Sequence, residues 1–295
     1  MKKAYLFPGQ GSQKKGMGQD HYRFDQDFRK RCDQANEILG FRITDIMFED
    51  EGNALTQTKF TQPALFVHAC ALFEMLRHHP DVVAGHSLGE YTALTAAGVI
   101  LFEDALVAVK KRGELMQRAG ENNPGAMAAV IGLEDAVVEK TCEEVSAEGE
   151  GTVVPANYNA RGQLVISGNE QEVTTAVEKL KESGAKMAKT LPVSGAFHST
   201  LMESAREELD TIIDDLIFVP PKAFVYSNVT GLASKDPDVL KQNLKKQLMS
   251  PVRWAQTLNS MYEDGVRHYV EVGPGNVLQG LVKRTLTDIE ISGFQ

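Results

Sequence analysis

Cysteine is scarce: Cys32, Cys70 and Cys142 are the only three in 295 residues, odd in number, far apart and without a Cys-x-x-Cys pair. This spacing supports neither a disulfide framework nor a thiolate zinc site, and it points to a reducing compartment. Long hydrophobic runs are missing as well. No apolar stretch approaches the roughly 20 residues of a membrane span, and the apolar residues 4–7 that follow Lys2 and Lys3 stop at Pro8, too soon for a signal-peptide core. Positive charge is in deficit, with 31 Lys and Arg against 40 Asp and Glu and a formal net charge of −9. Nonspecific nucleic-acid binding needs a basic surface, so it is not expected here, and an acidic partner would need a local basic patch. Internal repeats and low-complexity tracts are absent too. What remains is a chain 42% hydrophobic, long enough for one large domain or a domain with a smaller insert, and expected to be soluble and cytoplasmic with no membrane partner.

Against these absences stands one dense motif, Gly85-His86-Ser87-Leu88-Gly89. It has the Gly-x-Ser-x-Gly form of a nucleophile elbow, and its flanks suit one: the short, mostly apolar segment Asp81-Val82-Val83-Ala84 reads as the end of a buried strand, and residues 90–97 as a helix stopped by Gly98. A serine on so sharp a turn needs neighbours without side chains, and the helix N-terminus behind it offers free N–H groups to an oxyanion. The plainer reading is a Gly-rich strand-to-helix turn.

Residues 4–7 read as a buried first strand, broken by Pro8 into the loop Gly9-Gln10-Gly11-Ser12-Gln13. That loop is no phosphate cradle: Met17 follows Gly16 where a Walker lysine would be needed, and Lys14 stands where a dinucleotide fingerprint has its third glycine. Apolar residues at helical spacing from Gln62 to Leu76 predict a core helix leading to the elbow strand. Between residues 126 and 190 the pattern changes to a run at 127–131, an acidic helix at 134–148, two runs bracketing Ala160-Arg161-Gly162, a helix at 170–183 and a short run at 186–190. This βαββαβ order is the ferredoxin-like split unit. Asn122-Asn123-Pro124-Gly125 and Pro192-Val193-Ser194-Gly195 supply turn chemistry at its borders. The expected fold is therefore α/β, a hydrolase-like core with a parallel sheet (residues 1–125 and 192–295) interrupted by a small ferredoxin-like subdomain (126–191). Apolar residues 269–272 and Gly273-Pro274-Gly275, opening a final helix, lie in the returning part.

A serine nucleophile needs a base, and the Gly195-Ala196-Phe197-His198-Ser199 segment past the insert border supplies His198. His78 and His79 adjoin Pro80 in a predicted loop, His68 lies in a helix, His21 and His268 have polar neighbours, and His86 is tied to the elbow. Arg112 interrupts a helical stripe of Ala105, Ala108, Leu115 and Ala119. Burying an unpaired guanidinium costs several kcal/mol, so either its stem snorkels to water or a carboxylate meets it.

With the elbow, Phe7-Pro8-Gly9-Gln10-Gly11-Ser12-Gln13, Gly195 to Ser199 and Val272-Gly273-Pro274-Gly275 in order, the chain resembles the malonyl-CoA:acyl carrier protein transacylases over essentially its whole length. The resemblance implies Ser87 as nucleophile, His198 as its base, Arg112 as the guanidinium that grips the malonyl carboxylate, and Gln10 and Leu88 as donors of oxyanion-hole backbone N–H groups. Gln247 matches the glutamine near which a main-chain carbonyl orients the histidine, so no triad aspartate is required. The implied partners are malonyl-CoA and an acyl carrier protein bearing phosphopantetheine; no metal or tightly bound cofactor is implied. Phe197 before the histidine goes with malonyl, where serine goes with methylmalonyl, and the segment leans towards service to a polyketide synthase complex over fatty-acid synthesis. Lys186, Lys189, Lys241, Lys245 and Lys246 are candidates for docking an acidic carrier.

Three rivals stand beside this reading. An acyl hydrolase acting on carrier proteins would use the same serine ester but has no use for Arg112. A non-catalytic docking module would have no reason to keep Ser87, His198 and Arg112 together. A lipase-like hydrolase expects a His-Gly-Gly-Gly-type oxyanion loop that is missing here.

Overall fold

A computed structural model describes residues 2–193 and 195–295. Among these, ten strands form two sheets. β1 (Lys2–Phe7), β2 (Val82–Gly85), β7 (Phe224–Tyr226), β8 (Ala233–Ser234), β9 (Val266–Val272) and β10 (Glu290–Phe294) make the larger sheet, in the order β10-β9-β1-β2-β7-β8. It is parallel apart from the short antiparallel β7–β8 pair at its edge. β3 (Gly125–Ile131), β4 (Val153–Ala160), β5 (Gln163–Asn169) and β6 (Met187–Thr190) make an antiparallel sheet in the order β4-β5-β3-β6. With helices Asp135–Glu148 and Glu170–Glu182 between its strands, this is the ferredoxin-like arrangement. The chain is thus a hydrolase-like α/β core with a ferredoxin-like sheet of its own core, built on Val130, Cys142, Leu164, Ile166 and Leu180.

β1 and β2 are buried along nearly all their length, as central parallel strands covered by helices on both faces must be. Helix Thr58–Met75 is buried on all sides and lies against helix Phe102–Asn122, where Gly113 lets the two backbones approach closely. It begins four residues before the start that periodicity suggests at Gln62, and Pro63, its sixth residue, has no N–H to give the Lys59 carbonyl one turn back. The last strand, β10, was not visible in the sequence: it is five partly exposed residues paired only to β9, with no apolar run to announce it. At the insert borders, the turn at Pro192-Val193-Ser194-Gly195 includes Ser194, which lies outside the described residues. No helix among the described residues is long and apolar enough to cross a membrane.

What this architecture does is bring the C-terminal ends of β1 and β2 together. Phe7 pairs with Gly85, and the His86 N–H continues the ladder by donating to the Phe7 carbonyl at 2.9 Å. The approach is so close that a Cβ on Gly9 would strike the His86 carbonyl, one on Gly85 the Gly89 backbone, and one on Gly89 the Phe7 carbonyl. Gly89→Ala is therefore expected to destabilise the protein by roughly 1–3 kcal/mol or more through overpacking against backbone. Gly280→Ala, in helix Val277–Thr285 with open space around its Cβ, should be neutral or stabilising by up to about 1 kcal/mol. Urea unfolding of the two variants checks the contrast.

Candidate active site

Ser87 sits between β2 and helix Gly89–Ala96 with φ of +52°, in the left-handed region that costs a non-glycine residue about 1–3 kcal/mol. The turn is held from both sides. The Ser87 N–H donates to Asn228 Oδ1 at 2.7 Å, and the Ser87 carbonyl accepts from Gln247 Nε2 at 2.9 Å. Asn228 lies two residues beyond the end of β7 and is itself fixed by donating Nδ2 to the Gly85 carbonyl at 2.7 Å.

His198 is the second left-handed residue of the site, with φ of +58° and 3% exposure. Its Nε2 lies 2.8 Å from Ser87 Oγ. Its Nδ1 is 3.0 Å from the carbonyls of both Gln247 and Ser250. Carbonyls only accept, so Nδ1 carries the proton and Nε2 presents its lone pair to the serine hydroxyl. Gln247 closes helix Pro237–Gln247, where the last carbonyls have no partner within the helix, and this leaves its oxygen free for the imidazole. Burial, and after it the nearby Arg112 charge, lowers the His198 pKa to about 3.

Arg112 is fully buried in helix Phe102–Asn122. Its Nη1 donates to Gln62 Oε1 at 2.6 Å, and its Nη2 donates to Gln247 Oε1 at 3.1 Å and Ser87 Oγ at 3.2 Å. The guanidinium also lies over the Tyr91 ring, 5.6 Å from its centre, while Nε has no partner among the described residues. Neither expectation for Arg112 holds as stated. It does not reach water, and no carboxylate pairs with it directly: two glutamine amides and the serine hydroxyl take its protons.

The structure thus gathers Ser87, His198, Arg112 and Gln247 into one hydrogen-bonded set. Gln10, one residue past the close contact of Gly9 with His86, donates Nε2 to Thr58 Oγ1 at 3.2 Å, and its Oε1 is buried without a partner among the described residues. Leu88 is buried at the start of the helix behind Ser87. Phe197 belongs to the main core, with its ring edge 3.2 Å from where a Cβ on Gly195 would stand. Lys186, Lys189 and Lys246 are exposed, whereas Lys245 pairs with Asp214 at 2.7 Å and Lys241 donates to the Asp214 and Leu216 carbonyls.

Sequence reasoning did not pick out Gln62, Glu90, Asn228 or Ser250. Ser250 acts through its backbone, which no side-chain pattern reveals. Glu90 had a signal: it is an acid opening an otherwise apolar buried helix, the same anomaly that singled out Arg112. It is 1% exposed, and burial raises its pKa against the pull of donors from Gln247, Ser227 and Asn228. His86 is tied to the small sheet by its Nε2 and Asn159 Oδ1 at 2.8 Å.

The family described as the acyl transferase domain matches residues 4–293. A malonyl CoA-acyl carrier protein transacylase of Staphylococcus aureus is 41% identical over 295 residues, covering 100% of this chain and 96% of that protein. One from Bacillus subtilis is 42% identical over 284 residues, with 95% and 89% covered. Among solved structures, the malonyl CoA-acyl carrier protein transacylase of Coxiella burnetii superposes with a TM-score of 0.96 at 38% identity, covering 100% of this chain and 94% of that one. A malonyl-transacylase in complex with a type II PKS acyl-carrier protein gives a TM-score of 0.94 at 36% identity, with 99% and 95% covered.

A histidine with its pKa near 3 is already neutral across the physiological range, so its lone pair is not lost as pH falls through the ordinary 6.5 of imidazole. The kcat/KM for malonyl-CoA, which reports the free enzyme, should stay level between about pH 8 and pH 5.5. An acid limb centred near 6.5 would contradict this environment for His198.

Proposed function

The chain belongs to the acyl transferase family, among the malonyl-CoA:acyl carrier protein transacylases, and we propose that Ser87, His198 and Arg112 carry its reaction. The enzyme transfers a malonyl group from malonyl-CoA to the phosphopantetheine thiol of an acyl carrier protein. The observation that carries the assignment is the Ser87 Oγ to His198 Nε2 contact of 2.8 Å with the Arg112 guanidinium on the same oxygen at 3.2 Å.

In the first half-reaction His198 Nε2 takes the Ser87 proton as Oγ attacks the thioester carbonyl. The tetrahedral oxyanion is met by the backbone N–H groups of Gln10 and Leu88, the second standing at the N-terminus of helix Gly89–Ala96. Collapse breaks the C–S bond, and the departing CoA sulfur takes the proton back from Nε2. The malonyl ester then waits on Ser87. In the second half-reaction the phosphopantetheine thiol gives its proton to Nε2 and attacks the ester, and the Ser87 oxygen leaves and is reprotonated. Every step runs through side chains and backbone groups of this chain.

Arg112 suits the free carboxylate of the malonyl group. A planar guanidinium can give a carboxylate two parallel charge-assisted bonds, and the acceptors it would exchange for them, Gln62, Gln247 and Ser87 Oγ, are neutral. An acetyl group would leave that cation unpaired, which supports selection of malonyl. A hydrolase of uncharged acyl groups would gain nothing from it. Phe197 fills space beside the histidine and is assigned to exclusion of a methyl branch. The catalytic subdomain is taken as residues 1–125 and 192–295 and the small one as 126–191, the site lying where the two meet. The phosphopantetheine thiol is the same in fatty-acid and polyketide carriers, and service to a polyketide synthase remains our reading from the Phe197 segment.

Ser87→Ala should abolish both self-malonylation and transfer, read by intact-protein mass spectrometry after mixing with malonyl-CoA; a full adduct on the variant would remove Ser87 from the role. Arg112→Ala should lower malonyl acylation by about 100-fold or more while changing acetyl acylation far less, and Arg112→Lys should recover little. Equal losses for the two acyl groups would make Arg112 structural.

A further inference from the structure

Glu90 belongs to none of the roles above, yet it touches two of the residues that hold the site together, Gln247 and Asn228. Its carboxylate is buried beneath the elbow and accepts three hydrogen bonds: from Gln247 Nε2 at 2.7 Å, Ser227 Oγ at 2.8 Å and the Asn228 backbone N–H at 3.3 Å. Two of these donors belong to residues that hold Ser87. We propose that Glu90 is the positioning residue that sets the hydrogen-bond directions of the active site, acting through Gln247 and Asn228. The inference rests on the roles given above to Ser87, His198 and Arg112.

Each direction follows from which groups can donate and which can only accept. A glutamine amide can face either way, and only its surroundings decide which. At Gln247 the Glu90 carboxylate and the Ser87 carbonyl both only accept, so the NH2 end must face them. The oxygen end is then turned to Arg112, whose Nη2 donates to it and to Ser87 Oγ. With a guanidinium N–H on one side of Oγ, the serine hydrogen is left to point at His198 Nε2. The imidazole proton on Nδ1 returns to the Gln247 carbonyl. The path closes on the residue where it began, and every link has a single allowed direction. Asn228 is set in parallel: its backbone N–H is held by Glu90 and its Nδ2 by the Gly85 carbonyl, which leaves Oδ1 for the Ser87 N–H.

Replacing the carboxylate by shape-matched groups separates direction from charge and from bulk. Glu90→Gln keeps an acceptor oxygen for Gln247 and Asn228, and its new NH2 can face the Ser227 hydroxyl, which rotates to accept. Glu90→Asp keeps the charge but withdraws both oxygens by one carbon–carbon bond. Glu90→Met keeps the bulk and has no comparable acceptor. Freed from Glu90, the Gln247 amide can turn its NH2 towards Arg112, so the damage should fall on malonyl more than on acetyl.

The experiment measures single-turnover acylation of Ser87 by malonyl-CoA and acetyl-CoA in the full chain, with circular dichroism confirming the fold. Glu90→Gln should stay within about threefold of wild type. Glu90→Asp and Glu90→Met should lose malonylation on the order of tenfold or more, the rate equivalent of a buried hydrogen bond, and lower the malonyl-to-acetyl ratio with it. Glu271→Gln, a buried carboxylate that instead accepts from Leu278 and Gln279 N–H groups, should leave the ratio unchanged. A folded Glu90→Asp with wild-type rate and ratio overturns the proposal, as does a Glu90→Gln that loses as much as Glu90→Met. Should Glu90→Met not fold, Glu90→Asp decides. Absence of a Ser87 adduct on the wild-type protein would instead overturn the assignment of the site itself.

Discussion

A guanidinium kept wholly out of water with no carboxylate against it is the constraint from which the rest of this site follows. Burying a cation costs several kcal/mol unless its protons are accepted. Arg112 finds acceptors in Gln62, Gln247 and Ser87 Oγ, all neutral, and the nearest anion in the network, Glu90, is reached only through the Gln247 amide. The arrangement leaves the positive charge under-compensated, which is the state in which an incoming carboxylate gains most. The same charge, added to burial, keeps His198 neutral and its lone pair available.

Around that cation the backbone is strained where chemistry is assigned. Ser87 and His198 both adopt left-handed φ values without being glycine, and each is fixed by groups from distant parts of the chain. Asn228 and Gln247 hold the serine; the carbonyls of Gln247 and Ser250 hold the histidine. Strain of this kind persists only where surrounding contacts over-determine it. The small sheet takes part. Its strand β4 exchanges backbone hydrogen bonds with Val252, two residues beyond Ser250, and its Asn159 meets His86 in the elbow.

The histidine is oriented by main-chain oxygens in place of an acid. Two carbonyls fix the tautomer as firmly as a carboxylate would, because neither can give a proton. They stabilise an imidazolium less than a full negative charge does. That difference suits a site that already contains a buried carboxylate one residue removed and must admit a second with the malonyl group.

Much of this protein was legible in its sequence. The elbow announces itself because a serine on a sharp turn needs Gly85 and Gly89, and the backbone contacts that exclude a Cβ there give the reason. The ferredoxin-like order could be read because each of its elements has its own periodicity and its borders carry turn residues. Arg112 and His198 stood out as misfits in otherwise apolar or Gly-rich company. The sequence could not say what met Arg112, since two glutamines, ordinary residues anywhere in a chain, become its partners only when helices Thr58–Met75 and Pro237–Gln247 converge on it. Nor could it reveal Ser250, which acts through a carbonyl common to every residue, or β10, whose pairing depends on β9 being in place. Local chemistry is written residue by residue, whereas the direction of a hydrogen bond depends on which acceptor the fold brings within 3 Å, and only the tertiary structure decides that.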